Sequence, residues 1–523
     1  MLGSAVDRLV SIFSPEAAAR RVHARSVYER RRSYASAEQN RLTDHRKRRE
    51  QNKSADSELL EGADRTRARA RALVRDNSYA WGVRDSIVAN TIGCGIVPQA
   101  SIMADGGDEP LDVMNEQIER VWRDWCHYAD ITGLMHFNEL QALVLGETAE
   151  AGECLVKLVS VTDDARPVPL ALEVIEADRL ASEQDTFFVR NRNKLNGNEV
   201  RRGVEIDSVG RPVAYWIYPK HPSDINTTRV EPMRHDARDI VHFYRQDRAG
   251  QTRGISWFAP VVCWLRDMGF YLDNELQASA VGSCFTVAIT SDNHGDGGIL
   301  PSSDEDTTDT DGNRFEYLQP GLVTRLAPGE KIEGINPGRP NSAAEPWINL
   351  MLRGIAVGTG LSYELVARDY SKTNFSSNRA SALEDRRRFR RWQKLFAWRF
   401  LQPIWHRWLM LAAVKGIEGF PTPEQLLDDP ARWSAVEWQA PGWEWVDPMK
   451  EQQASDAAVK ANMSTLADEL AAKGKDWRTV LKQRAREREF GESLGLTMDM
   501  EQAKLDAQTE AANAQEQKET ADV

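Results

Sequence analysis

Apolar residues recur every three or four positions through much of the chain, a period typical of amphipathic helices. The first long helix is predicted to begin at Asp64 and to run to Ile92, with Gly93 and Gly95 ending it because glycine closes helices without steric cost. Further helices are predicted over residues 113–128, 137–152, 256–283, 347–360 and 379–416. These segments make helix the main component of the predicted structure.

The part of the chain between residues 152 and 250 follows a different pattern, with short runs of Val, Ile and Leu bounded by turn residues. Strands are predicted over residues 154–159, 170–175, 203–206, 213–217 and 240–244. Two of them flank Asp207-Ser208-Val209-Gly210, which predicts a hairpin. Strands of this kind among helices indicate an α+β domain.

The predicted helix over residues 379–416 places aromatic residues at Phe389, Trp392, Phe396 and Phe400 among many arginines. The favoured interpretation is that the aromatic residues form a core stripe and that the arginines pair with acidic neighbours. The alternative is a surface that contacts phosphates and stacks on bases. Pro403 removes one backbone hydrogen bond, so a bend is expected near residue 402.

Charge is distributed unevenly along the 523 residues. The formal net charge is −12. Residues 1–53 carry 13 Lys and Arg against 6 Asp and Glu, a local net charge of +7, so the remainder carries −19. A basic N-terminal arm on an acidic body is therefore predicted.

The sequence contains no pattern that predicts catalysis or a bound cofactor. P-loop, HExxH, GxSxG and GxGxxG motifs are missing, and the five cysteines show no CxxC spacing, so neither an enzyme nor a metal site is expected. Five carboxylates could in principle supply a pair for general acid–base catalysis, but they are interpreted as surface charge: Asp85, Glu147, Glu150, Glu153 and Glu173. No run of about 18 apolar residues occurs, which predicts a soluble protein.

Several stretches, in their order along the chain, resemble the lambda family of tailed-bacteriophage portal proteins. They read RARALVRDNSYAWGVRDSIVANTIGCGIVPQA, GVEIDSVGRPVAYWIY, LQPGLVTRLAPGEKIEGINPGRP and LMLRGIAVGTGLSYELVARDYSKTNFSSNRASALEDRRR. The resemblance covers roughly residues 60–450. It implies a mainly helical, elongated α+β subunit built from a wing, a stem, a clip and a crown.

The resemblance also implies a division of the chain, assigned by order and character. The expected parts are a basic arm (1–60), an α+β wing (61–255), a first stem helix (256–285), a β-containing clip (286–340), a second stem helix (341–361), a tunnel loop (362–378), a long wing helix (379–420), and a crown with an acidic helical tail (421–523).

Two groups of site residues follow from this division. In the tunnel loop and just beyond it, contact with DNA phosphates is expected of Arg368, Lys372 and Arg379, with hydrogen bonds from Ser371 and Asn374. The same cations would alternatively bridge to a neighbouring subunit. The acidic side chains of the clip are expected to meet partner proteins: Asp292, Asp296, Asp304, Glu305, Asp306, Asp309 and Asp311.

The resemblance implies a ring, usually of twelve copies, at one vertex of the capsid. Such a ring carries double-stranded DNA during packaging and ejection. It docks the terminase large subunit, the major capsid protein, and head-completion and tail proteins, and it is assembled in the host cytoplasm. No cofactor, metal, membrane contact or enzymatic activity is expected. The alternatives are a capsid or scaffolding subunit that does not touch DNA, and a nuclease.

Overall fold

The structure is a computed structural model, and the residues it describes are 53–105, 109–162, 165–182, 197–224, 231–284, 288–291, 330–333, 341–371, 373–443 and 448–495. The chain divides into two compact units, Met1–Glu58 and Leu59–Val523. All the residues that form the candidate site lie in the second unit.

Helices form most of the described structure. In chain order they are α1 (Ala55–Asp76), α2 (Ser78–Thr91), α3 (Asp112–Cys126), α4 (Phe137–Ala151), α5 (Val262–Cys284), α6 (Ala344–Thr359), α7 (Tyr363–Ala367), α8 (Phe375–Phe396), α9 (Gln402–Lys415), α10 (Pro423–Asp428), α11 (Pro430–Trp433), α12 (Pro448–Lys460), α13 (Leu466–Ala472) and α14 (Trp477–Ser493). A π-helical segment, Ala397–Leu401, joins α8 to α9.

The described strands pair in antiparallel fashion. They are β1 (Val97–Ala100), β2 (Glu153–Ser160), β3 (Leu170–Glu176), β4 (Glu199–Arg201), β5 (Val204–Ile206), β6 (Pro212–Ile217), β7 (Met233–Asp236), β8 (Ile240–Tyr244), β9 (Ala288–Ser291), β10 (Glu330–Glu333) and β11 (Val436–Gln439). Their sheets have the orders β3-β2-β8, β4-β5-β6-β7, β1-β11 and β9-β10. The predicted α+β class with a helical majority is confirmed.

The predicted hairpin is present as β5 and β6, and its turn is closed by a side chain. The carboxylate of Asp207 accepts hydrogen bonds from the backbone N–H groups of Val209 at 3.0 Å and Arg211 at 2.8 Å. Gly210 adopts a φ of +87°, a conformation that glycine reaches without strain. Both strands therefore follow from the local sequence.

Several helix boundaries differ from the prediction. The helix predicted from Asp64 is two helices, because the side chain of Asn77 accepts hydrogen bonds from the first backbone N–H groups of α2 and starts a new helix there. Helix α5 begins at Val262 rather than at residue 256, because residues 257–261 form turns in which the N–H of Val261 is bound to the carbonyl of Phe258 at 2.8 Å. The π-helical segment ends directly before Gln402, beside the break expected at Pro403.

Strand β11 was not predicted, because the Trp-rich sequence around it lacks an alternating pattern. It pairs with β1 from Val97↔Gln439 to Ala100↔Val436. The paired residues are more than 330 positions apart in the sequence, so no local sequence pattern predicts that these two strands pair. Through this pairing β11 contacts the segment that follows α2 and Gly95.

The main hydrophobic core is centred on aromatic side chains of α3, α4 and α9. Trp122 lies 5.2 Å from Trp405 and 5.0 Å from Trp408, measured between ring centroids, and Phe137 is 5.4 Å from it. A second core, between the two larger sheets, contains Leu155, Ile175, Val204, Ile206, Tyr215 and Ile217. No described helix has the length and hydropathy to cross a bilayer.

Candidate functional site

The predicted tunnel loop is shorter in the structure than in the sequence analysis. Within residues 362–378, Ser362 caps the short helix α7 and Asn374 caps α8, which leaves an irregular segment whose described residues are 368–371 and 373–374. The hydroxyl of Ser362 donates to the carboxylate of Asp385 at 2.6 Å, and its backbone N–H donates to the same carboxylate at 2.9 Å. The loop is therefore anchored to α8 at its N-terminal side.

Arg368 ends α7 with a left-handed backbone (φ +52°) and an exposed side chain. Its guanidinium lies 3.3 Å from the carboxylate of Asp85 on α2, in a pair whose side chains are 59% and 45% exposed. A pair this exposed is weak, because water screens both charges. The cation is thus loosely held at the surface of the loop.

Ser371 and Asn374 use their polar groups within the loop itself. The Ser371 hydroxyl donates to the carboxylate of Asp369 at 2.6 Å. The Asn374 side chain accepts from the backbone N–H of Ser377 at 2.8 Å and caps α8. Both residues therefore shape the loop, and hydrogen bonds from them to DNA stay a prediction.

The remaining predicted site residues fall outside the irregular segment or outside the described residues. Arg379 lies inside α8 and is half-buried. Lys372 and the seven acidic residues of the clip lie outside the described residues. On either side of that acidic stretch, β9 pairs with β10 from Ala288↔Glu333 to Ser291↔Glu330.

The aromatic stripe of α8 belongs to the core, as the favoured interpretation predicted. Phe389, Trp392, Phe396 and Phe400 are between 0 and 6% exposed. Their burial excludes base stacking by these rings. The same interpretation predicted that the arginines of this segment pair with acidic neighbours. Only some of them have partners within the described residues.

A carboxylate at the start of β2 is completely buried, against the expectation of surface charge. Glu153 accepts hydrogen bonds from Arg253 at 2.6 Å, Arg67 at 2.9 Å, His242 at 3.0 Å and the backbone N–H of Gly254 at 2.8 Å. Burial alone would raise the pKa of Glu153, but these cations and hydrogen bonds hold it well below its usual value.

The geometry around Glu153 is that of a structural junction. Arg253 donates to the carbonyls of Arg202 at 2.6 Å and Ala177 at 3.2 Å, while Arg202 reaches the carboxylate of Asp64 at 2.6 Å. Gly254 packs so closely that an added Cβ would lie 2.1 Å from the carbonyl oxygen of Gly152. The network joins α1, β2, β8 and the segments around Ala177, Arg202 and Arg253.

Among the described residues, one group of three ionisable side chains has metal-like spacing: Glu176, Asp178 and His221. The two carboxylate oxygens of Asp178 are occupied by Arg71 at 2.6 Å and Arg67 at 3.4 Å. The Nδ1 of His221 accepts from the backbone N–H of Ser223 at 3.1 Å, which directs the Nε2 proton toward Glu176. The group is therefore satisfied as a hydrogen-bonded cluster.

Comparisons with known proteins agree with the resemblance. The sequence profile of "Phage portal protein, lambda family" matches residues 41–393. The chain is 27% identical over 455 residues to a probable portal protein of Halomonas phage phiHAP-1, covering 85% of this chain and 84% of that protein. It is 24% identical to portal protein B of Escherichia phage lambda and to the portal protein of Escherichia phage N15, covering 83% of this chain and 85% and 86% of those proteins, respectively.

Two solved structures are also similar. The neck of an empty gene transfer agent particle, computed with C6 symmetry, matches with a TM-score of 0.41 at 14% identity, covering 79% of this chain and 94% of that chain. The neck of a native particle, computed with C12 symmetry, matches with a TM-score of 0.38 at 14% identity, covering 78% and 93%. On the evidence of the profile, which spans more than half of its residues, this chain belongs to the lambda family of phage portal proteins.

Proposed function

We propose that copies of this chain form a ring at one vertex of a phage capsid and that double-stranded DNA passes through it during packaging and ejection. The observation that carries the proposal is the match of the family profile across residues 41–393. The proposed subunit is structural, and the twelvefold number follows the family expectation.

The charge balance of the chain suits a passage for a polyanion. Each phosphate that a protein neutralises adds salt-dependent affinity, so a densely cationic lining would hold the DNA in place. With a net charge of −12, the chain repels DNA on average and leaves binding to local cations. A few such contacts would guide the duplex without stopping it.

Arg368 fits the role of a reversible contact. Its guanidinium is exposed and lies 3.3 Å from the carboxylate of Asp85, in an exposed ion pair. Exchanging that carboxylate for a passing phosphate costs little, since exposed pairs contribute only about 0–1 kcal/mol. We assign the same role to Lys372 and Arg379, with Ser371 and Asn374 as polar neighbours.

The proposed partners are those of a head–tail connector. The acidic residues 292–311 would meet the terminase large subunit during packaging and head-completion or tail proteins afterwards. The major capsid protein would surround the ring, and the finished assembly would be a component of the virion after assembly in the host cytoplasm. The basic arm, with its local charge of +7, is available for an acidic neighbour or for DNA.

The decisive experiment combines Arg368→Ala with Lys372→Ala in the full-length protein. Electron microscopy of the purified variant should show closed rings like those of the wild type, while the fraction of heads that retain packaged DNA should fall. The matched control is Lys220→Ala with Lys475→Ala, which removes the same charge from other exposed positions and should change neither result. Loss of rings in the loop variant would instead make these cations subunit contacts.

A further inference from the structure

Helix α8 presents a row of cations on the face opposite its buried aromatic stripe. Arg387, Arg391 and Lys394 are exposed and spaced four and three residues apart, which places them on one helical face. Trp398 follows on the same side and is 75% exposed. Arg387, Arg391 and Lys394 together form the basic stripe.

The basic stripe is unusual because its charges are unbalanced. Residues 386–417 contain nine Lys and Arg but no Asp or Glu. Other cations of this segment have partners: Arg390 stacks over the Trp443 ring at 5.6 Å, and Arg407 lies 3.2 Å from the carboxylate of Asp239. Within the part of the chain that the structure describes, none of the basic stripe side chains makes an ion pair or hydrogen bond; Glu384, one turn before the stripe, is not paired with it.

An arrangement of this kind favours a partner with closely spaced negative charges. Like charges three or four residues apart on a helix repel each other, and an external anion removes that cost. The rise of about 1.5 Å per residue separates neighbouring members of the stripe by roughly 4.5–6 Å along the axis. Duplex DNA carries one negative charge per about 1.7 Å of its axis, and the planar guanidinium group matches phosphate oxygens well.

The position of the stripe favours DNA over an acidic protein surface. Asn374 caps the N-terminus of α8 and ends the loop that the proposed function brings to the DNA. Arg379 stands between that loop and the stripe, and the path from residue 379 to residue 394 is about 22 Å at the helical rise. Cations therefore continue from the loop along one helix.

We propose that the basic stripe Arg387–Arg391–Lys394 is a second, sequence-independent phosphate-binding surface for duplex DNA, separate from the loop. This inference rests on the proposed function and extends it from a passing contact to a surface outside the loop. Because its cations make no ion pair or hydrogen bond within the described residues, the stripe binds phosphate without breaking a contact of that part of the subunit.

The test measures the binding of assembled full-length protein to a fluorescent 30-base-pair duplex as a function of potassium chloride concentration. The stripe variant combines Arg387→Gln, Arg391→Gln and Lys394→Gln. Each lost phosphate contact lowers the slope of log K against log salt by about 0.9, so the slope should fall by roughly 2–3. A variant with Arg387→Lys and Arg391→Lys keeps the charges and should keep the slope.

A matched control separates the site from net charge. Arg69→Gln, Lys475→Gln and Arg484→Gln remove the same charge from exposed positions elsewhere in the chain, and the slope should stay at its wild-type value within about 1. Equal slopes for the stripe and control variants would overturn the proposal. If the stripe variant equals its control while Arg368→Ala with Lys372→Ala still lowers DNA retention, only this inference fails.

The competing occupant of this face is a neighbouring copy of the chain, and assembly distinguishes it. If the stripe bound an adjacent subunit, the stripe variant and Trp398→Ala would both reduce the yield of rings in sedimentation and electron microscopy, and the proposal would be overturned. The expected result is that both variants form rings and that Trp398→Ala leaves the salt slope unchanged. A wild-type protein that neither forms rings nor binds the duplex would overturn the proposed function as well.

Discussion

Two groups of arginines in this protein carry the same charge in opposite environments. Around Glu153, Arg67 and Arg253 are 3% and 0% exposed and fully engaged. On α8, Arg387 and Arg391 are exposed and have no partner among the described residues. The first group comes from segments far apart in the sequence, and the second from one helix. A buried, paired arginine stabilises the fold, whereas an exposed arginine without a partner among the described residues is available to bind another molecule.

The buried group should show the largest effect on stability. Glu153→Gln removes the negative charge that compensates Arg67 and Arg253 while retaining the shape of the side chain. The expected loss is about 3–5 kcal/mol of unfolding free energy, the usual cost of leaving buried charges unpaired. Chemical denaturation of the full-length protein measures it. Glu199→Gln, at an exposed pair with Arg201, is the matched control and should cost less than about 1 kcal/mol; equal effects would contradict the comparison.

The buried group should also make stability depend on pH. Burial lowers the pKa of His242 below its ordinary value of 6.5, although a hydrogen bond to the carboxylate of Glu153 opposes that shift. Below pH 6.5 the unfolded chain binds a proton that the folded chain does not, so stability falls as the pH falls. The maximum slope from this one group is about 1.4 kcal/mol per pH unit.

His242→Gln isolates that contribution, because glutamine offers Glu153 an N–H donor but does not titrate. Its unfolding free energy, measured between pH 7 and pH 5, should fall less steeply than that of the wild type. The charged and titratable groups around His242 are Glu153, Arg253, Arg399, Tyr215 and Tyr244. Glu153 itself contributes only at lower pH, since its pKa is held well below 4.5. An unchanged slope would show that His242 titrates normally in the folded protein.

The exposed pair between Arg368 and Asp85 should affect the unfolding free energy less than the buried group around Glu153 and more than the basic stripe. Asp85→Asn should change the unfolding free energy by less than about 1 kcal/mol, because water screens the pair at 3.3 Å. Under the proposed function the freed guanidinium should bind the duplex slightly more tightly at low salt. Thermal unfolding and the same DNA titration measure both effects, and a large loss of stability would contradict the interpretation of a loosely held cation.

The basic stripe should show the smallest effect on stability. Replacing Arg387, Arg391 and Lys394 by glutamine should leave the unfolding free energy within about 0.5 kcal/mol of the wild type, with a small gain because like charges three and four residues apart repel. Differential scanning calorimetry is the measurement. A marked loss would show that the stripe has a structural partner, as the buried arginines do.

Local sequence signals predicted several elements of the fold. The hairpin of β5 and β6, strand β8 and the buried face of α8 follow from periodicity and turn residues that act within a few positions of each other. Asn77 also carried a readable signal, since asparagine is a preferred N-cap. The helix boundary there was missed because the apolar period continues on both sides of it.

The sequence by itself therefore determined the class of the fold, the helical face that Phe389, Trp392, Phe396 and Phe400 bury, and the family, because periodicity and ordered motifs are properties of the linear chain. Only the tertiary structure decided that β11 pairs with β1, that Glu153 is a buried junction, and that Arg387 and Arg391 have no ion pair or hydrogen bond among the described residues. The physical reason is that these properties depend on which distant segments fold together. The identity and spacing of an arginine do not predict whether a carboxylate from another segment will form an ion pair with it.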